Sequence, residues 1–253
     1  MDQPRKEMAA PSGRRNPADL AGRLDDLEQT VEELRESVAM LTADLDDRLR
    51  MYRERMQETV YRTQVAIAIL DDPGRLLFEW PAVESVYLQF RKILELIATA
   101  SLSVNESAGR SITARLQKKP HAEDILKEVE RVNPDFFYPK PTRLVKNDPV
   151  DRWEDFTGDY LTREKFTSLY ALASSVVHTP HPFRPPKQAR TNAQLRKEAE
   201  QWCERIIRLL THHHFELMGY PGLRFVCHNT GTPAEPVLRT TIFRKAGNMA
   251  EGA

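Results

Sequence analysis

The residues Leu24, Leu27, Val31, Leu34, Val38, Leu41 and Leu45 follow one another at alternating steps of three and four without a fault. That is the 3.5-residue period of a coiled coil, with Leu24, Val31, Val38 and Leu45 at a and Leu27, Leu34 and Leu41 at d. β-branched valine at a with leucine at d favours two parallel strands. Two apolar positions per heptad make a narrower stripe than a helix needs to pack on its own domain. After Leu45 the seam resumes at Leu49, Tyr52 and Met56 and runs on through Thr63 and Leu70. The step of four from Leu45 to Leu49 is a stutter, which relaxes the supercoil locally. Residues 20–70 are therefore expected to form one helix, extended from the rest of the chain and paired with a second copy. Asp71-Asp72-Pro73-Gly74 ends it, because proline cannot continue a helix and glycine suits the turn.

The remainder has the length and composition of one ordinary domain. Of 253 residues, 40% are hydrophobic, enough for a core. Lysine plus arginine equal aspartate plus glutamate at 37 each, so no global field points to nucleic acid or membrane. The balance is uneven along the chain. Asp25, Asp26, Glu28, Glu32, Glu33, Glu36, Asp44 and Asp46 are opposed only by Arg23 and Arg35, and Arg48, Arg50, Arg53 and Arg55 follow at once. Such blocks mark solvated helix faces or pairing between copies. Cys203 and Cys227 make no disulfide framework, and no apolar run suggests a secretory signal or a membrane span. The expected location is the cytoplasm.

The expected fold class is mainly α: an N-terminal coiled-coil helix, then a helical-bundle domain with a small C-terminal β-hairpin. The expected divisions are a disordered tail at 1–17, the coil at 18–72, the domain at 76–245 and a tail at 246–253. Pro81 opens a helix through about Glu106, a second runs from His121 to Val132, and Asn133-Pro134 stops it. Residues 134–160 hold Phe136, Phe137, Tyr138, Trp153 and Phe156, and read as an ordered loop packed against the helices. Thr162 caps the next helix, and Thr191 with Gln194 forms the capping box of the last, which is expected to run to Gly219. Leu223–His228 and Val237–Phe243 read as the two strands of the hairpin.

Candidate chemistry centres on histidine. If His212, His213 and His214 lie in the last helix, successive side chains point 100° apart and cannot converge on one metal. His213 then continues the apolar stripe of Trp202, Ile206 and Leu209, while His212 joins Arg205 and Arg208 on the wet side. His178 and His181 follow a helix end. To bind zinc they need further ligands, for which Cys203, Cys227 and His228 are the candidates, at a spacing unlike a zinc finger. Arg91 and Glu95 share a helix face and are expected to pair. No phosphate loop, nucleophile elbow or His-Glu-x-x-His is present. Arg184, Lys187, Arg190, Arg196 and Lys197 form a cationic run, but without interleaved aromatics to stack bases it reads as a solvated face.

The stretch Asn133-Pro134-Asp135-Phe136-Phe137-Tyr138-Pro139-Lys140-Pro141, with Tyr160-Leu161-Thr162, Leu169-Tyr170 and His178 before Pro182-Phe183, resembles a set of uncharacterised bacterial proteins. With the Arg91–Glu95 helix this covers much of residues 80–183. More remotely the helical core is similar to HEPN domains, which implies RNA cleavage by an arginine and a histidine with four to six residues between them. The positions that precede His178 at that spacing are Ala171, Leu172 and Ala173. Arg115 with His121, Arg205 with His212, and Arg208 with His213 or His214 do fit it, a match that an arginine-rich chain meets by chance. The leading expectation is a non-enzymatic, self-associating interaction protein, a homodimer through residues 20–70 that presents its domain to a protein partner. It involves no cofactor, metal, nucleic acid or membrane. The alternative is a HEPN-like ribonuclease using His178, Arg208 and His213.

Overall fold

The heptad stripe forms one uninterrupted helix, α1 (Pro17–Asp71), and proline, glycine and the two aspartates end it as expected, in a 3-10 turn at Pro73–Leu76. The computed structural model describes residues 17–105, 121–134, 138–146, 152–178, 190–217, 220, 222–232 and 235–244. Among these are four further helices: α2 (Glu79–Val104), α3 (Ala122–Val132), α4 (Arg163–Val177) and α5 (Asn192–Thr211). The chain divides into two units, with the boundary inside α1 between Asp46 and Asp47.

That boundary lies at the stutter, and the seam behaves differently on its two sides. Leu27, Val31, Leu34, Val38 and Leu41 are 61%, 45%, 60%, 60% and 59% exposed. From Leu49 onward the seam is Leu49, Tyr52, Met56, Thr59, Thr63, Ala66 and Leu70, and every one is buried in the second unit. The second half of α1 is thus a core helix of the domain, where the sequence suggested continued coiled coil. Its seam explains the packing. Thr59, Thr63 and Ala66 are small, and the two threonine hydroxyls satisfy themselves on Arg55 O and Thr59 O one turn back. Arg62 Nη1 bonds Gln89 on α2 at 3.1 Å, and Arg196 of α5 donates to Leu70 O at 2.6 Å.

α2 is the hub of the helical layer, with Val83, Val86, Tyr87, Phe90, Ile93, Leu94 and Ile97 buried on one broad face. α4 packs along it, its start fixed by Thr162 accepting from Lys165 N; α5 starts at the expected Thr191–Gln194 capping box. The Tyr87 hydroxyl donates to Leu195 O at 3.0 Å and ties α2 to α5. Two asparagines lock the helix ends. Asn133 Nδ2 donates to Asn105 Oδ1 at 2.9 Å and to Glu216 O at 3.3 Å, while Asn105 Nδ2 donates to Ser101 O. Both side chains are buried, so Asn133→Ala leaves acceptors dry and should cost about 1–3 kcal/mol of stability. A urea midpoint unchanged by that substitution would remove Asn133 from the list of tertiary locks.

The largest departure from the sequence reading is a five-stranded antiparallel sheet, where a terminal hairpin was expected. Its order is β2 (Arg152–Asp155), β1 (Lys140–Val145), β3 (His212–Phe215), β4 (Leu223–Asn229) and β5 (Leu238–Arg244). β4 and β5 are the expected hairpin. β1 and β2 come from the segment read as a loop, which is ordered where described; Phe136 and Phe137 lie outside the described residues. β3 is the histidine run: α5 stops at Thr211, short of the Gly219 expected, and His212 begins a strand. Side chains there alternate between faces instead of stepping by 100°. His213 and Phe215 face Tyr52 of α1, at ring-centroid distances of 5.8 and 4.2 Å. Leu238 N bonds Gln57 Oε1, which seats β5 on the same helix. The opposite face of the sheet carries His212 and His214.

Candidate functional site

Three places on the molecule bear on the expected chemistry, the first being the exposed seam of α1. At the positions assigned above, Asp26, Glu32, Glu33 and Glu36 fall at b, c and f, on the side of the helix away from the seam. Local pairs hold some of these side chains, such as Arg35 with Glu32 at 3.2 Å and Gln29 with Glu33 at 3.0 Å. No carboxylate occupies an a or d position; Glu28 at e and Asp44 at g flank the strip, and the other acids are on the wet side.

The second is the histidine at the end of α4. His178 is the C-cap of that helix, its N–H bonded to Ser174 O. Arg91 of α2 brings Nη1 to within 3.3 Å of His178 Nε2, while Arg91 Nε lies 3.4 Å from Glu95 Oε1. Lys92 Nζ meets the other Glu95 oxygen at 2.9 Å, and the guanidinium stands 5.6 Å over the Tyr170 ring. The expected Arg91–Glu95 pair therefore exists, half-buried, and an exposed imidazole is attached to it. This arginine is distant in sequence, so no search for a local Arg-His spacing could find it. The signal in the chain was only that Arg91 sits on an apolar helix face.

The third is the sheet. On its α1 side, His213 pairs across the ladder with Cys227, and Cys227 with Thr240. A histidine beside a cysteine invites a nucleophilic reading, and burial defeats it. Loss of water pushes the Cys227 thiol up to about 12 and holds the His213 imidazole down at about 3. Thiol and imidazole are both neutral, the opposite of the thiolate–imidazolium pair that reacts. Arg208 is engaged elsewhere: it donates to Asp159 O at 2.9 Å and to Glu204 at 3.0 Å. Arg205 and Lys165 bind the Asp159 carboxylate, and these two hydrogen bonds hold its pKa below the usual range. Arg208 and Arg205 thus pin the β2–α4 connection onto α5, while His213 is sealed under Tyr52.

On the outer side of the sheet, cross-strand register assembles a second group. His212 stands opposite His228, His228 opposite Arg239, and Trp153 opposite Leu144. The Trp153 ring lies 5.6 Å from His212, 6.4 Å from His228 and 5.8 Å from Phe243, and the two imidazoles are 6.2 Å apart at an interplanar angle of 16°. Trp153 was expected against the helices; it lies instead on this face, half-buried. Next to it, Asp155 receives Arg224 at 3.3 Å and approaches His214 Nδ1 at 3.7 Å.

Among the described residues no three His, Cys, Asp or Glu side chains are grouped to hold a metal ion, and His181 lies outside them. No described helix is long and apolar enough to cross a membrane. Compared with protein-family models, curated proteins and solved structures, the chain finds no match.

Proposed function

We propose that the protein is a self-associating interaction protein without catalytic activity, in which the segment from Leu24 to Leu45 pairs with that of a second copy and gathers two domains into one particle. The observation that carries this reading is the continuous apolar strip of Leu27, Val31, Leu34, Val38 and Leu41, each about half or more exposed in the single chain. Scattered apolar residues on a surface need no explanation, but an unbroken strip at heptad spacing does. Burial in a partner strip is worth about 1.5–3 kcal/mol for each leucine or valine fully covered. Charge supports like pairing with like. In a parallel pair Arg23 at g of one helix would stand opposite Glu28 at e of the other, and the carboxylates at b, c and f would keep to the outside. The pairing segment is shorter than residues 20–70, because from Leu49 the seam serves the domain's own core. Light scattering on the full-length chain should return twice the chain mass. A monomer at all accessible concentrations would end this proposal.

A second reading is favoured by one contact, the Arg91–His178 pair. An imidazole that takes a proton from a ribose hydroxyl, beside a guanidinium that neutralises a phosphate in the transition state, is the minimum for RNA cleavage. Against it, Glu95 already draws on that arginine. Labelled single-stranded RNA incubated with the protein should stay intact, with or without His178→Ala. Cleavage that disappears in His178→Ala would transfer the assignment to a nuclease.

A further inference from the structure

An antiparallel sheet with one face on the core normally turns polar side chains to water on the other. Here the outer face presents rings from β2, β3, β4 and β5: Trp153, His212, His228 and Phe243, all half-buried, with Trp153 in contact with each of the other three. We infer that this face is a stacking platform for single-stranded RNA. Base stacking requires aromatic surfaces held on a rigid support, and the five hydrogen-bonded strands supply that support. Backbone recognition requires cations at the rim. Arg239 is exposed and lies directly across the ladder from His228, and Lys140 stands on the same face, in register with His214. The carboxylate within the platform, Asp155, is occupied by Arg224 and His214 and so does not oppose a phosphate at full strength. RNA is favoured over DNA because His212, His228 and Thr241 place hydrogen-bonding edges among the rings, where a 2′-hydroxyl is both donor and acceptor. The even balance of charge over the chain and the lack of aromatics near Arg184–Lys197 argue against nucleic acid only until the sheet is assembled. The rings and cations come together through register, from segments nearly a hundred residues apart.

The test is fluorescence anisotropy of the full-length protein with a labelled oligouridine of about a dozen nucleotides, spanning the size of one such sheet. A duplex RNA and the deoxy strand serve as competitors. Saturable binding that weakens with salt is expected. Trp153→Leu keeps an apolar cover on the sheet but removes the ring, and should weaken binding roughly tenfold. Arg239→Glu should weaken it and lower the salt slope by about one or more. Circular dichroism and unchanged particle mass show that both variants are folded and assembled. The inference is overturned if the oligouridine does not bind, if both variants bind as wild type does, or if duplex RNA competes equally. Equal competition by the deoxy strand overturns the choice of RNA. Loss of self-association in Trp153→Leu would show that a second copy, not RNA, occupies the face.

Discussion

Replacing Leu34 with aspartate should convert the proposed dimer to a monomer while leaving the domain folded. Leu34 is at the central d position of the strip and is 60% exposed in the single chain, so the substitution removes nothing from the intramolecular core, which begins at Leu49. In the paired state the same residue faces its equivalent. Each dimer then loses two buried leucines, about 3–6 kcal/mol on the scale of side-chain burial. It also gains two facing carboxylates stripped of water without a cationic partner. At 1.4 kcal/mol per decade the burial loss alone weakens association roughly a hundredfold to ten-thousandfold. Sedimentation equilibrium across a concentration series measures this directly. Glu36→Lys, at f on the outer side, is the matched control and should leave the mass unchanged. If Leu34→Asp remains dimeric, the seam is not the contact. If its thermal melting falls as far as that of a core mutant, Leu34 belongs to the fold and not to assembly.

Much of the helical architecture is legible in the chain because its signals are local. Pro73-Gly74, the Thr162 cap and the Thr191–Gln194 box each fix a boundary through residues within one turn of one another. The use made of α1 is less legible. Heptad spacing is the same whether a knob enters a second copy or the molecule's own sheet. The stutter between Leu45 and Leu49 is the local mark of the change, and beyond it the large Leu49, Tyr52 and Met56 are followed by Thr59, Thr63 and Ala66, too small to fill a two-stranded coil but suited to close packing against a neighbouring helix. The sheet was hidden for another reason. β2 and β3 have four residues each, too few for a period of two to stand out, and β1 contains Pro141. Three histidines in succession give no periodic signal either, so the helix that precedes them was extended through them. Arg91 meets His178, and Trp153 meets Phe243, only through tertiary packing, which no spacing rule reads.

The second large effect expected is on acid stability, and it rests on His213. This imidazole is fully buried beside Tyr52 and across from Cys227. Burial first, and the neighbouring His214 second, lower its pKa from the ordinary 6.5 to about 3, against a weaker pull upward from the backbone of Leu209 and Leu210. Above pH 6.5 the ring is neutral whether the chain is folded or not, and the shift contributes nothing. Below that, the unfolded chain takes up a proton that the folded one refuses, so stability falls as pH falls, down to about pH 3. The slope for one such group is about 1.4 kcal/mol per pH unit, or about 2 kcal/mol between pH 6.5 and 5. Carboxylates held low by hydrogen bonds, Asp159 by Lys165 and Arg205 and Glu164 by Thr162 and its own backbone N–H, lose their contribution only at lower pH, as it falls from the ordinary carboxylate range through their lowered values. His212 acts in the same direction as His213, because burial and His228 also lower its pKa, but it is only half-buried. Urea unfolding of wild type and His213→Leu at half-unit steps from pH 7 to 5 isolates the effect. Wild type should lose stability steadily below pH 6.5, while His213→Leu should keep only the shallower slope that His212 supplies. Parallel curves for the two proteins would mean that His213 accepts its proton in the folded state, and that the contact between α1 and β3 opens to water in acid.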